Sequence, residues 1–339
     1  MLAVAYSKDQ KLKLREVEVP QISSDEALIK VDVCGVCGSD LVKIKNNLVK
    51  EGTILGHEIV GTIVEVGNQI KRWDKNQKVV IGHHVPCLTC HFCRSGNFSM
   101  CEQFKKTNIY PGGFSEYIKV SKAHLEQTTF LIPKCTISDH EIALTEPLAC
   151  CLRAVKKAEV GSTSSILICG LGSIGIMLGK LCIEKGAQTF GIDLIKERID
   201  LAKEMSAIHD GYLADSAELK SWILNKTEGR GVDITFLASG SAKSLNTALN
   251  HTRSGGKIVV FSSIPSEEGF FNNEIYYREL NILGSYSPSP IALKEAYQMI
   301  ITEKIKLKRL ITDIVPLKEL PNEIEKCFKN KSVKMMVET

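Results

Sequence analysis

The chain has 339 residues, 44% of them hydrophobic, a length at which a protein usually divides into two domains. Its formal net charge of +4 is too small for the basic face of a nucleic-acid-binding protein. The N-terminus has no basic leader followed by a long apolar stretch, so we expect no secretory signal and a cytoplasmic protein.

The first 150 residues contain short β-rich runs separated by turn residues. The N-terminus begins like a strand, and further strands are predicted over 27–33, 59–67 and 78–81. This part of the chain is predicted to be an irregular, β-rich unit.

From about residue 153 the pattern changes to strands that alternate with helices. Strands are predicted over 166–169, 189–193, 232–237, 257–261 and 280–284, and helices over 174–185 and 197–205. This alternation is typical of a doubly wound parallel sheet and predicts a nucleotide-binding domain over 153–288. After a helix over 291–301, we expect the C-terminal segment to pack back on the first domain, which would comprise 1–152 and 289–339.

The stretch 161–179 has no charged residue over nineteen positions, which is long enough to cross a bilayer. Five of these residues are glycines, which favours a buried strand, a tight turn and a helix packed closely on a sheet. We therefore expect no membrane span.

A glycine-rich turn lies between the first predicted strand and helix of the alternating region. Gly170, Gly172 and Gly175 form the pattern G-x-G-x-x-G, with Ser173 and Ile174 inside it. Such glycines allow a tight turn and close backbone approach to a pyrophosphate, which binds at the helix N-terminus. The turn predicts a dinucleotide site.

Asp193 ends the next predicted strand, where a carboxylate can accept hydrogen bonds from both ribose hydroxyls of an adenosine. A carboxylate there repels a 2′-phosphate, so we expect NAD rather than NADP. Lys196 and Arg198 lie close enough in the sequence to leave NADP open, and Arg198 is included among the predicted cofactor-binding residues.

Four of the twelve cysteines are clustered in the pattern C-x2-C-x2-C-x7-C: Cys87, Cys90, Cys93 and Cys101. Four thiolates at this spacing predict a structural zinc ion with no open position. A [4Fe–4S] cluster is the alternative, but Glu102 stands where such clusters usually have a proline.

A second group of residues carries the chemistry of a catalytic metal. Cys37 lies twenty residues before His57 and Glu58, and Glu146 is a further carboxylate at the start of an apolar stretch. Each alone could be a core residue or a surface charge. Together, a thiolate, an imidazole and a carboxylate from separate loops predict a zinc site with an open fourth position.

Taken in order, these motifs resemble the zinc-containing medium-chain dehydrogenases, in the branch that includes sorbitol, galactitol-phosphate and threonine dehydrogenases. The resemblance covers nearly the whole chain and also rests on the motifs over 37–40, 56–58, 111–117 and 146–148. It implies a GroES-like catalytic domain joined to a Rossmann domain, and a homodimer or homotetramer.

The resemblance implies that the catalytic zinc binds Cys37, His57 and a carboxylate from Glu58 or Glu146. It also implies that Ser39 relays the proton of the alcohol and that Asp40 orients His57. If both carboxylates bound the metal, the site would carry one net negative charge and would disfavour an alkoxide. We therefore expect one carboxylate to exchange with substrate or water.

One position departs from the family pattern. Many relatives have a histidine at the position of Val42 that passes the proton on, and valine cannot do so. The proton must leave Ser39 by another route. His83 and His84, just before the cysteine cluster, are candidates for approaching the site, or are plain strand-end residues.

The sequence therefore predicts an NAD-dependent oxidoreductase with two zinc ions per chain and a small-molecule secondary alcohol as substrate. A polyol, sugar alcohol or cyclitol is the first expectation. A threonine or other amino-alcohol dehydrogenase is the alternative within the family. A non-catalytic, zinc-stabilised NAD-binding protein is the alternative from another class.

Overall fold

A computed structural model describes residues 1–9, 11–262 and 272–339. The chain divides into two compact units: the first comprises Met1–Ala149 and Pro288–Thr339, and the second comprises Cys150–Ser287. Within the described residues, none of the helices combines the length and the hydropathy needed to span a membrane.

The N-terminal part of the first unit is built mainly from strands. They are β1 (Leu2–Ser7), β2 (Lys11–Glu16), β3 (Glu26–Gly35), β4 (Glu58–Val66), β5 (Lys78–Ile81), β6 (Tyr117–Ser121) and β7 (Thr129–Leu131). The helices between and after them are α1 (Gly38–Lys45), α2 (His91–Arg94), α3 (Glu102–Lys106), α4 (Lys122–Gln127), α5 (Asp139–Ile142) and α6 (Thr145–Lys157), of which α6 begins in the first unit and continues into the second.

The second unit alternates strands and helices along the chain. Its strands are β8 (Ser165–Cys169), β9 (Gln188–Asp193), β10 (Asp210–Leu213), β11 (Val232–Leu237), β12 (Thr252–Val260) and β13 (Asn281–Gly284). Its helices are α7 (Ser173–Glu184), α8 (Lys196–Glu204), α9 (Leu219–Lys226), α10 (Ala242–His251) and α11 (Asn272–Tyr277).

The strands of the second unit form one parallel sheet in the order β10-β9-β8-β11-β12-β13. This order is that of a doubly wound dinucleotide-binding sheet, in which the chain reverses direction beside the first strand, β8. The predicted α/β fold class is confirmed. The central strands are buried apolar runs such as Ser165–Cys169, as expected where a parallel sheet is covered on both faces.

The C-terminal segment adds α12 (Pro290–Ile301), β14 (Asp313–Pro316), α13 (Leu320–Glu323), α14 (Glu325–Phe328) and β15 (Met335–Glu338). Its strands join those of the N-terminal part in a sheet of order β14-β15-β3-β4-β5-β7, and β6 also pairs with β3. The last residues of the chain are therefore hydrogen-bonded beside β3. The apolar core of this unit includes Ile29, Ile63, Phe114, Ile118 and Val337.

Six of the described strands were not predicted: β2, β6, β7, β10, β14 and β15. In β2 and β10 the local sequence does not have the pattern of a strand in a core. β2 reads Lys-Leu-Lys-Leu-Arg-Glu and is exposed along most of its length. β10 is short, begins with Asp210 and contains Gly211, so its sequence is typical of a turn. Both strands are held by their neighbours, β1 and β9 respectively.

Candidate functional site

The start of α1 fixes two of the predicted site residues, Cys37 and Asp40. Cys37 is the N-cap residue, and its Sγ accepts a hydrogen bond from the Ser39 backbone N–H at 3.5 Å. The Asp40 carboxylate accepts the backbone N–H of Cys37 at 3.2 Å. This reciprocal cap satisfies donors of the first turn and holds both side chains at the same end of the helix.

His57, immediately before β4, lies beside Asp40. Its Nδ1 is 3.5 Å from Oδ1 of Asp40, which is fully buried. Burial alone would lower the pKa of His57, but the negative charges of Asp40 and Cys37 raise that pKa well above its ordinary value. Because Nδ1 faces Asp40, Nε2 is the nitrogen that a metal ion would use.

Glu58, the first residue of β4, is fully buried and faces a buried lysine. Its Oε2 forms an ion pair with Nζ of Lys334, which also donates a hydrogen bond to the Val36 carbonyl oxygen at 2.9 Å. Burial opposes the charge of Lys334, but the carboxylate of Glu58 outweighs it and raises the pKa of this lysine. The second oxygen, Oε1 of Glu58, is buried and has no hydrogen-bond partner among the described residues.

Cys37, His57 and Glu58 come together as one cluster of potential metal ligands. One sulfur, one nitrogen and one oxygen from these residues lie within 4.8 Å of one another. This donor set is typical of a zinc ion with three protein ligands and an open position. The buried Oε1 of Glu58, which otherwise lacks a partner, also fits a bound cation.

Glu146 is buried near the start of α6 and is not part of that three-residue cluster. Its Oε1 lies 4.0 Å from Nδ1 of His83. The His83 ring packs against His57, with 4.6 Å between the ring centroids. Burial lowers the pKa of His83 well below its ordinary value, and the positive charge of His57 lowers it further. His83 therefore contacts both of the predicted ligands His57 and Glu146.

The predicted proton relay begins at Ser39, which is exposed beside the cluster. Its Oγ donates a hydrogen bond to Cys37 Sγ at 3.3 Å. Val42 follows on the same helix and is exposed, so it offers no group that could carry a proton onward.

His84 packs against His83, with 4.1 Å between the ring centroids. Its Nδ1 is hydrogen-bonded to the Thr107 carbonyl oxygen, and its ring packs on Phe104 at 4.9 Å between centroids. Burial lowers the pKa of His84 to about 4. Of the two histidines considered from the sequence, His83 contacts a predicted ligand and His84 contacts the segment that follows the cysteines.

The second potential metal cluster consists of Cys87, Cys90, Cys93 and Cys101, whose sulfur atoms lie within 4.8 Å of one another. The backbone N–H groups of Cys87 and Cys90 donate to the sulfurs of Cys101 and Cys87 respectively, both at 3.3 Å. The hydrogen bond from the Thr89 hydroxyl is the largest factor that lowers the pKa of Cys87 to about 6. Four sulfur donors supported by N–H groups fit a zinc ion with no open position.

The predicted glycine turn lies between β8 and α7. Gly170 has φ +96°, and a Cβ at Gly175 would stand 1.9 Å from the Gly170 carbonyl oxygen, so both positions require glycine. A Cβ at Gly172 would meet nothing within 4 Å, which leaves the approach to the turn open. No described side chain caps α7, so the N–H groups of its first turn, at Ser173 and Ile174, can meet an anion.

Asp193, at the end of β9, is tied to this turn. Its Oδ2 accepts the Leu171 backbone N–H at 2.7 Å, and its Oδ1 accepts the Ile195 N–H at 2.9 Å. Arg198 Nη1 lies 4.0 Å from Asp193 Oδ2. The glycine turn and the Asp193 carboxylate thus lie side by side, and these residues fit a dinucleotide.

Sequence reasoning missed Lys334. A signal was present, because this lysine stands among apolar residues in Val333-Lys334-Met335-Met336-Val337, and a lysine in a buried strand needs an acidic partner. Its partner is distant in the sequence, so only the β15-β3-β4 strand order brings the two together.

Comparison with known proteins gives the same two-part organisation. The family model described as the alcohol dehydrogenase GroES-like domain matches residues 23–132, and the model described as zinc-binding dehydrogenase matches residues 173–302.

The relatives include dehydrogenases of sugar alcohols. Sorbitol dehydrogenase of Bacillus subtilis (strain 168) is 31% identical over 99% of this chain and 97% of its own length. D-arabinitol dehydrogenase 1 of Uromyces fabae is 28% identical over 99% of this chain and 97% of its own length. A solved structure of the zinc-binding dehydrogenase class from Sinorhizobium meliloti 1021, bound to NADP, superposes with a TM-score of 0.88 at 26% identity. The superposition covers 100% of this chain and 99% of the Sinorhizobium meliloti chain.

Proposed function

From the premise that this chain belongs to the zinc-containing medium-chain alcohol dehydrogenase family, we propose that it oxidises a secondary alcohol group of a polyol with NAD. It is an oxidoreductase, like the named members of that family. The observation that carries the proposal is the cluster of Cys37, His57 and Glu58, whose sulfur, nitrogen and oxygen donors meet within 4.8 Å. Three mixed donors suit a catalytic zinc ion, which keeps one position for an alcohol oxygen.

We assign the two metal centres to the first unit and the dinucleotide to the second. Cys37 and His57 are the constant ligands of the catalytic ion. Glu58 and Glu146 supply the exchangeable carboxylate, because Glu58 belongs to the cluster while Glu146 lies outside it, next to His83. When bound, the zinc ion would polarise the alcohol oxygen and the NAD would accept a hydride from the adjoining carbon.

The proton released by the alcohol is transferred by residues of the chain itself. Ser39 is exposed beside Cys37 with a hydroxyl that can accept the proton released by the alcohol. Asp40 holds His57 by Nδ1 and so fixes the orientation of Nε2. Since Val42 carries no proton-transfer group, the onward step from Ser39 uses water or the ribose of the cofactor.

The four-cysteine cluster is proposed to hold a structural zinc ion. Four sulfur donors would fill all the positions of a tetrahedral zinc ion, so no position would remain for a substrate. Phe98 and Phe104 pack against the cysteines, and with them they form a small core that depends on the metal for most of its stability.

NAD is proposed as the cofactor because of Asp193. This buried carboxylate is held beside the glycine turn by two backbone N–H groups, so it can bind ribose hydroxyls and repel a 2′-phosphate. Because one similar solved structure is bound to NADP, the preference of this chain for NAD over NADP has to be measured. Arg198 lies 4.0 Å from Asp193 and would face that phosphate if the carboxylate were removed.

A homodimer or homotetramer and a cytoplasmic location complete the proposal. β13 is the last strand in the order of the described sheet and exposes Ile282, so it offers an edge for pairing with a second chain. None of the twelve cysteines, all of which lie among the described residues, forms a disulfide, which suits a reducing compartment.

The substrate class is tested by NAD reduction across polyols, cyclitols, phosphorylated hexitols and amino alcohols. We expect the highest kcat/KM for a polyol, because the relatives named above act on sorbitol and D-arabinitol. Turnover confined to threonine or another amino alcohol would replace the polyol by the alternative substrate class. No turnover with any alcohol, together with one zinc ion per chain, would favour a non-catalytic NAD-binding protein.

A further inference from the structure

The ion pair between Lys334 and Glu58 follows from the order of three strands. Gly35 on β3 is paired with Glu58 on β4 on one side and with Met336 on β15 on the other. A Cβ at position 35 would stand 2.1 Å from Oε2 of Glu58. Because Gly35 has no side chain, Lys334, two residues before Met336, reaches across β3 to that carboxylate.

The two oxygens of Glu58 have different surroundings. Oε2 meets the ammonium group of Lys334. Neither oxygen has a hydrogen-bond partner among the described residues, so the ion pair at Oε2 is what distinguishes them, and Glu58 contributes one oxygen to the cluster with Cys37 and His57. One carboxylate is thus shared between a fixed cation of the protein and the place where a metal ion would bind.

We propose that Lys334 is a positioning residue that makes Glu58 a weak, displaceable ligand of the catalytic metal. The inference rests on the proposed function, since it concerns the metal held by Cys37, His57 and Glu58. The ammonium group draws negative charge away from Oε1 and also repels a divalent cation in the same buried region. Glu58 can therefore leave the metal when an alcohol arrives.

Lys334 also offsets an excess of negative charge at the metal site. With Cys37, Glu58 and Glu146 all negative, a divalent ion leaves one net negative charge, which disfavours a developing oxyanion. The ammonium group of Lys334 is buried in an ion pair with Glu58, so under the proposal it cancels that excess without binding the metal itself. The net charge of the site is thus neutralised by a positively charged residue that is not a metal ligand.

A purely structural role would produce different effects. Lys334 donates to the Val36 carbonyl oxygen, so it also ties the start of β15 to the chain just before Cys37. Loss of that bond would destabilise the protein and would weaken the metal site. Loss of the charge, under the proposal, would strengthen metal binding.

The experiment measures zinc affinity at the catalytic site by chelator competition, with the visible spectrum of cobalt-substituted enzyme as a second readout. The variants are Lys334→Met, Lys334→Gln and Lys334→Arg, and Lys331→Met is the matched control because Lys331 is an exposed lysine of the same segment. Lys334→Gln keeps a hydrogen-bond donor without charge, so it provides the measurement if Lys334→Met does not fold.

We expect both neutral variants to bind zinc about tenfold more tightly than wild type and to show a lower kcat, because Glu58 no longer leaves the metal. The cobalt spectrum should change in the same variants. Lys334→Arg should retain the wild-type affinity and spectrum, and Lys331→Met should change neither.

A double-mutant cycle with Glu58→Gln assigns the effect to this carboxylate. In the Glu58→Gln background, Lys334→Met should leave only the smaller gain in zinc affinity that comes from removing a repelling charge. Zinc affinity that is unchanged or lower in both neutral variants would overturn the inference while the metal site itself stands. Wild-type enzyme that binds no metal through Cys37 would instead overturn the proposed function.

Discussion

The two units of the molecule build their binding sites from different materials. In the second unit the site is mostly backbone, with a glycine turn, the first turn of α7 and one carboxylate at a strand end. In the first unit the proposed catalytic site consists of side-chain charges from α1, β4, α6 and the segment before β15. A site made of backbone groups is determined by a short stretch of sequence, whereas a site made of side chains from several strands and helices depends on how the whole sheet is paired.

The largest expected effect is on the stability of the four-cysteine cluster. Cys90→Ser removes one of four sulfurs and should release the structural zinc ion, whose binding contributes on the order of 10 kcal/mol to local folding. Hydrogen exchange and limited proteolysis should show the segment over 87–107 opening, while the second unit stays protected. Cys135→Ser, at an exposed cysteine, is the control. Equal protection of this segment in Cys90→Ser and wild type would argue against a structural metal.

The next largest effect is on turnover in Cys37→Ser. The variant should lose the catalytic metal, and kcat should fall on the order of 10³-fold, or about 4 kcal/mol of transition-state stabilisation. NAD binding, measured by calorimetry, should be unchanged because the glycine turn belongs to the other unit. Weaker NAD binding in this variant would show that the metal site and the dinucleotide site are not independent.

The two carboxylates should show that ligands in the first unit can substitute for each other. Glu58→Gln and Glu146→Gln should each retain zinc, because the remaining carboxylate can take the vacant position. Each should lower kcat about 100-fold, a loss of about 3 kcal/mol. Metal content and kcat, measured on the same samples, check this. If both single variants lost all zinc, the carboxylates would be fixed, simultaneous ligands.

In the second unit the main side-chain effect should be on cofactor choice. Asp193→Ala removes the acceptor for the ribose hydroxyls and the repulsion of a 2′-phosphate, so NAD should bind more weakly by roughly 1–3 kcal/mol and NADP more tightly. The measurement is kcat/KM for both cofactors, with Asp200→Ala as the control because Asp200 pairs with Lys196 on α8. An unchanged NAD to NADP ratio would remove Asp193 from the site.

The smallest expected effect concerns acid stability of the second unit. Hydrogen bonds from Lys203 and Lys226 outweigh burial and lower the pKa of Asp210 to about 2. A lowered carboxyl pKa stabilises the fold above the unfolded-state value, and this stabilisation is lost as the pH falls towards 2. Asp210→Asn should therefore cost about 1 kcal/mol at neutral pH, after allowance for the partly exposed lysines.

Denaturant unfolding at a series of pH values checks this last prediction. The difference between wild type and Asp210→Asn should shrink below about pH 4, the usual range of an aspartate in an unfolded chain, and disappear near pH 2. A difference that does not change with pH would mean that the ion pairs of Asp210 contribute nothing to stability.

The sequence predicted the second unit almost completely because its signals are local. The glycine turn, the apolar strand before it and Asp193 all lie within one stretch of chain, and α7 begins within one residue of the predicted start. β10 was missed because a short strand held only by β9 carries a turn-like sequence.

The first unit was predicted less completely because its site depends on contacts between distant residues. The motifs identified Cys37, His57 and Glu58, which are indeed close together. They did not identify Lys334, because the cation that faces Glu58 is fixed by the pairing of β15 with β3 and by the absence of a side chain at Gly35. Nor did they separate His83 from His84, whose side chains contact different partners.

The most direct test of the account is the number of zinc ions per chain in three proteins, measured by elemental mass spectrometry after extensive dialysis. We predict two ions in wild type and one in each of Cys37→Ser and Cys90→Ser, with turnover per folded chain lost in the former and retained, at low temperature, in the latter. A single ion in wild type that survives Cys37→Ser with turnover intact would contradict a catalytic metal at Cys37, His57 and Glu58.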